Sequence, residues 1–217
     1  MIGGGIIGIL FSSDVHYPNN PAADYAAAYQ NHMENVNAMA KQAELEPDNL
    51  PLLKALAYSY FQAVIYAQYT APGDMRELYD KAVNTYQAYL AIEQDENVML
   101  EMAYVAYSSG DDALNELAEQ TYQDVLSLNP ASLEARIQYG LFLFDRKHDY
   151  AGSIGQLHTA LEFAQEDAVK DQIQSYIDQI QSYIDLILSQ PKPDHPEDAP
   201  EQETEITEAT EEVEVEK

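Results

Sequence analysis

The sequence predicts an all-α fold made of stacked helix pairs, and three observations predict it. From Ala22 to Gln190 apolar residues recur at three- and four-residue steps, the period of one helix face. Runs of β-branched residues are rare, and the breaks in the pattern fall at Pro and Gly. The breaks also recur at a nearly regular interval, which marks a repeated unit rather than a single bundle.

Taken in order, the helices are expected over 22–46, 50–69, 74–92, 97–109, 112–128, 132–146, 149–164 and 167–189. Pro47-Asp48-Asn49 ends the first and starts the second. Ala71-Pro72-Gly73-Asp74 is a turn whose Asp can cap the third. Ser109-Gly110-Asp111 joins a C-terminal Gly to a capping Asp. Asn129-Pro130 closes another helix, because the residue before Pro avoids the α conformation.

Pro47 aligns with Gln94, Pro130 and Gln165, at separations of 47, 36 and 35 residues. Against a unit of about 34 residues the intervals carry 13, 2 and 1 extra. Leu53, Leu56-Ala57 and Tyr60 read large, large-small, aromatic, and Ala82 and Tyr86 follow as small and aromatic, with Tyr89 in place of a small residue. Leu100, Ala103-Tyr104 and Tyr107 lead to Ala118, Tyr122, Val125 and Pro130 in the same way. The fullest unit runs Tyr139-Gly140, Leu143, Asp149-Tyr150, Ser153-Ile154, Leu157, Ala160-Leu161.

These residues resemble the tetratricopeptide repeat family over about 50–165. The resemblance implies an α-solenoid of about three helix pairs. Helix 22–46 resembles a second helix whose first is missing. The small residues Ala57, Gly140, Ala82, Ala118, Ser153 and Ala160 are expected to let helices approach closely while large residues fill the space between. Two departures stand out: Arg136 occupies a position expected to be large and apolar, and the 61–81 stretch between first- and second-helix patterns is longer than standard.

The last helix holds a duplication, Gln172 to Asp178 repeated as Gln179 to Asp185. Val169, Ile173, Tyr176, Ile180, Tyr183 and Ile187 form a stripe of alternating four- and three-residue steps. One reading makes 167–189 a capping helix on the last repeat. The other makes the 169–187 stripe the seam of a homodimer.

The two ends differ from the repeat domain at 22–189. Residues 190–217 hold eleven acidic residues and four of the ten prolines, and are expected to be a disordered acidic tail. Residues 1–21 begin with an apolar, Gly-rich run, Met1 to Phe11, and continue as a polar spacer. A bilayer span needs about 20 apolar residues, so the run reads as part of a membrane anchor whose start lies upstream. That would place the repeat domain outside the cytoplasm of a bacterial-type cell, the alternative being a cytoplasmic protein.

Ten Lys and Arg against 38 Asp and Glu give a net charge of −28, which repels nucleic-acid phosphates. Without the tail, 27 acidic and 8 basic residues remain. The absence of Cys excludes disulfides, thiol catalysis, Cys-ligated zinc and iron–sulfur clusters. The five His (16, 32, 148, 158, 195) show no metal-ligand spacing, no Gly-x-Ser-x-Gly elbow occurs, and Asp111-Asp112 reads as a helix cap. No catalytic residue, cofactor or metal is expected.

The resemblance implies instead a non-enzymatic scaffold whose first helices line a concave groove for a partner's peptide or helix. Carried over position by position, the groove residues are Lys54, Tyr58, Phe61 and Gln62, then Glu101, Val105 and Ser108, then Ile137, Leu141, Phe144 and Asp145. Tyr60, Tyr86, Tyr107 and Tyr122 are read as repeat core. Family members that bind chaperones clamp a carboxylate with paired Lys and Asn; Lys54 is placed for this, but Tyr58 stands where Asn is needed. The net charge favours a neutral, basic or apolar partner segment. A soluble structural homodimer and an unrecognised hydrolase are the remaining alternatives.

Overall fold

The computed structural model describes residues 21–189, with side chains from Tyr25 onward; the apolar run, most of the spacer and the acidic tail lie outside them. Among the described residues the secondary structure is helical throughout: α1 (Pro21–Leu45), α2 (Leu50–Thr70), α3 (Met75–Leu90), α4 (Glu96–Ser108), α5 (Asp112–Leu128), α6 (Leu133–Phe142), α7 (Tyr150–Phe163) and α8 (Asp167–Leu188). The chain divides into two compact units, Met1–Leu114 and Asn115–Lys217.

Side chains at the breaks start the helices. Asn49 accepts a hydrogen bond from the Leu52 amide, Asp95 from those of Asn97 and Val98, Ser132 from Ala135, and Asp149 from Gly152. Each satisfies amide groups that the first turn cannot pair internally. Gly110 sits at φ +68, the left-handed position that favours glycine, and Asp111 accepts from the Leu114 amide. Asp74 differs from expectation. It precedes α3, but its side chain makes no capping bond; its carboxylate instead accepts from the Tyr29 hydroxyl at 2.7 Å.

In the first unit successive helices run antiparallel. Tyr25 stacks on Tyr69 at 5.0 Å and the His32 ring lies beside Ser59 and Tyr66, which sets α1 against α2. The Tyr79 hydroxyl donates to the Ser108 carbonyl, and Tyr86 reaches Glu101, which sets α3 against α4. The long 61–81 stretch is no open connection. Its first half is helix, with Ala63, Val64 and Ala67 buried, so α2 continues to Thr70. Pro72 then forces Ala71 out of helical geometry, and the short turn Pro72–Asp74 leads straight into α3.

The second unit follows the same rule. Tyr122 meets Tyr139 and Phe142 across α5 and α6. Ser153 donates to the Gly140 carbonyl at 2.7 Å across α6 and α7. Helix α8 lies on α7, and Ile173, Tyr176, Ile177, Ile180 and Ile184 share a core with Tyr150, Leu157 and Ala160. That is the capping arrangement. The seam turns slightly from the expected one: Ile177 and Ile184 are buried, while Tyr183 is 39% exposed. Of the expected stripe, Ile173, Tyr176 and Ile180 are buried within their own chain, Val169 and Ile187 are half-buried, and Tyr183 stays partly exposed.

Two further features of α6 differ from the expected 132–146 helix. Its α-helical part ends at Phe142, and a π-helical turn, Leu143–Lys147, closes at His148 in the left-handed region, φ 54. Arg136, the misfit in the apolar pattern, donates to the Pro130 carbonyl and to Gln156, and lies over the Phe163 ring. It ties the α5–α6 turn to α7 by polar bonds where the family pattern would use an apolar contact.

Two outcomes follow from this packing. A Cβ added at Gly140 would stand 3.1 Å from Leu157 Cγ and 3.2 Å from the Ser153 carbonyl oxygen. Gly140→Val should therefore destabilise the protein by about 1–3 kcal/mol, seen as a lower urea midpoint. An unchanged midpoint would show that α6 and α7 can separate freely. The second outcome concerns alkali. Burial first, and then the hydrogen bond to Asp74 and its charge, push the Tyr29 hydroxyl from 10.0 up to about 12. Burial pushes Tyr60, Tyr104 and Tyr139 up as well. The unfolded chain releases these protons first, so this stability is full below pH 10 and is lost as the pH rises through 12. Circular dichroism at fixed urea should show helix loss in that window, coinciding with tyrosinate absorbance.

Candidate functional site

The face formed by α2 and α4 begins with a polar clamp. Lys54 Nζ stands 2.8 Å from Glu101 Oε1, which sets the two helices side by side in the same direction. Behind Glu101, the buried Tyr86 hydroxyl hydrogen-bonds to the same carboxylate. Burial, and then the Glu101 charge and its hydrogen bond, push that hydroxyl well above the ordinary tyrosine range. Two turns along α2 and one along α4, Phe61 meets Tyr104 edge-on at 5.8 Å; it also meets Tyr79 at 6.2 Å.

Tyr58 opens outward, 42% exposed, between these two contacts in sequence, and Gln62 beyond it is half-buried. Ser108 ends α4, its hydroxyl donating to the Tyr104 carbonyl. Val105 is 2% exposed, so its side chain belongs to the core and offers no surface to a ligand. The first unit thus brings Lys54 to Glu101 and places Phe61 and Gln62 one turn on from Tyr58 along α2.

In the second unit, Ile137, Leu141 and Phe144 are partly buried against the α7–α8 core. Phe144 packs edge-on against Tyr150 and Tyr183, so α8 covers much of what a ligand would meet there. Asp145 stands 3.6 Å from Arg146. Tyr60, Tyr86, Tyr107 and Tyr122 are buried, each 7% exposed or less.

Two surface residues escape the sequence reading. Ile65 and Tyr69 are 51% and 61% exposed on α2 and continue the line of Tyr58 and Gln62. The steps 58, 62, 65, 69 are legible as a helix stripe. Alignment to the repeat misses them, because they fall in the 13-residue insertion, for which the family pattern has no positions. The sixteen residues from Ala55 to Thr70 carry no charge, whereas residues 21–114 as a whole hold fourteen Asp and Glu against four Lys and Arg. Three of those four cations, Lys54, Arg76 and Lys81, pair with carboxylates.

Among the described residues no group of three or more His, Asp or Glu could hold a metal ion. His158 is exposed and His148 closes the π-helical turn; His16 and His195 lie outside the described residues. No described helix is long and apolar enough to cross a membrane.

No family model matches the chain, and no curated relative matches it. Among solved structures it is similar to a crystal structure of MamA, with TM-score 0.48 and 12% identity over 83% of this chain and 100% of that one. A second crystal structure of MamA protein is similar at TM-score 0.48 and 13% identity, over 76% of this chain and 85% of that one.

The clamp makes a contrast that can be measured. Lys54 and Glu101 are both more than a third exposed, so Lys54→Ala should cost less than about 1 kcal/mol. Glu101→Ala also strips an acceptor from the buried Tyr86 hydroxyl and should cost more, about 1–3 kcal/mol. Chemical denaturation of both variants checks this. Equal losses would mean that the Tyr86 bond contributes nothing.

Proposed function

We propose that this chain is a non-enzymatic scaffold of the tetratricopeptide repeat type, holding a segment of another protein on the face of its first helices. The observation that carries the reading is the uncharged, aromatic-bearing surface of α2, set in a strongly acidic unit. Tyrosine supplies broad, rigid contact area with a polar tip, and it is enriched where proteins bind one another. Large uncharged side chains at the surface of a protein rich in carboxylates mark a place kept for contact. A neutral, basic or apolar partner segment suits this field better than an acidic one.

Residues 1–11, as part of a membrane anchor, would hold the scaffold at a bilayer with the repeat domain outside the cytoplasm. Their apolar run and the polar spacer after it support that reading.

A photo-crosslinking side chain placed at Tyr58 in the cell tests both parts. It should yield adducts with discrete partner polypeptides, while the same group at Glu77 on α3, whose side chain is 70% exposed, should yield none. The adducts should sediment with membranes in the full chain and stay in the supernatant once residues 1–11 are removed. Equal labelling from both positions would sink the groove, and sedimentation that ignores the deletion would sink the anchor.

A further inference from the structure

The insertion in the first repeat has built a surface of its own. Helix α2 has 21 residues and α4 has 13. Lys54 meets Glu101 and Phe61 meets Tyr104, so the two helices run in the same direction. Helix α4 ends four residues after Tyr104, whereas α2 continues nine residues past Phe61. That excess of five residues is more than one helical turn, about 7.5 Å of helix. Ile65 lies level with the end of α4 and Tyr69 beyond it, flanked by Tyr25 of α1; with Tyr58 and Gln62 they form a ledge about 16 Å long.

Building on the scaffold reading, we infer that this ledge receives a basic amphipathic helix of a partner protein. The spacing argues for a helix. Positions 58, 62, 65 and 69 advance by four, three and four residues, the rhythm by which one helix accepts the side chains of another lying along it. Charge argues for a basic one. The ledge itself is uncharged, while residues 21–114 carry fourteen acidic residues against four basic, three of the four already paired. A helix with apolar residues on one face and Lys or Arg on the other would seat the first on Ile65 and its neighbours. The second would remain in the acidic field, which steers the encounter and fades with salt.

The probe is a synthetic peptide with Leu at heptad positions a and d and Lys elsewhere, and a twin with Glu replacing Lys. Each is titrated into the full chain by fluorescence anisotropy. The Lys peptide should bind, and binding should weaken at least about tenfold in Ile65→Lys, with Tyr58→Ala weakening it too. Leu128→Lys, at a more exposed site on α5, should change nothing. An unchanged circular dichroism spectrum shows that Ile65→Lys still folds.

Equal binding of the Glu twin, or equal loss in Leu128→Lys, would reduce the effect to diffuse charge and overturn the inference. So would binding that emerges only after residues 1–11 are removed, since the chain's own apolar segment would then be the occupant. A wild-type dimer that becomes a monomer in Ile65→Lys would assign the ledge to a second copy and overturn it equally. Crosslinks at Tyr58 with no peptide binding would defeat the ledge alone; their absence would defeat the scaffold reading with it.

Discussion

Close approach between neighbouring antiparallel helices is the condition on which everything else in each unit depends. Ala57, Ala82, Ala118, Ser153 and Ala160 are wholly buried, and Gly140 lies within reach of Leu157 and Ser153. Small residues set the interhelical distance, and Tyr86, Tyr122, Phe142 and Leu157 fill what remains. No single pair could cover its own apolar face, so each helix needs the next, and α8 ends the series in the second unit by turning polar on its outer side. The α2 surface is the same condition met differently: among the described residues, Ile65 and Tyr69 stay more than half exposed where α4 stops, with Tyr25 of α1 stacked on Tyr69.

Charge has little part in holding this arrangement. The ion pairs of the first unit are exposed and few, and most carboxylates have no cation to meet. What carboxylates do locally is cap helices and accept from tyrosines: Asp95 and Asp149 start helices, Asp74 takes the Tyr29 hydroxyl, and Glu101 takes that of Tyr86. The surplus of negative charge is therefore free to act at a distance, on whatever approaches the uncharged ledge.

Most of the helices were legible because their signals are local. Pro47, Pro72, Gly110 and Pro130 punctuate a strong three-and-four pattern, and the buried tyrosines follow from the repeat's small-and-large alternation. What stayed hidden depended on partners distant in sequence. Asp74 looks like a cap until Tyr29 arrives from 45 residues away. Arg136 looks like a defect until Pro130, Gln156 and Phe163 surround it. Val105 was placed on the surface by alignment, yet it is core, while Ile65 and Tyr69 were missed because an insertion has no column in a family pattern. The π-helical turn before His148 left no mark that composition or spacing could reveal.

The stack of Tyr25 on Tyr69, with the Tyr29–Asp74 bond one turn away, has a mechanical meaning. Because α1 runs antiparallel to α2, the chain enters the fold at the far end of α2, beside the ledge. A pull on Pro21 from the direction of the N-terminus is met at once by two tyrosine contacts, before any of the repeat core is strained. If a tethered partner pulls on the ledge while the N-terminus is held, tension crosses from α2 to α1 over a path a few residues long.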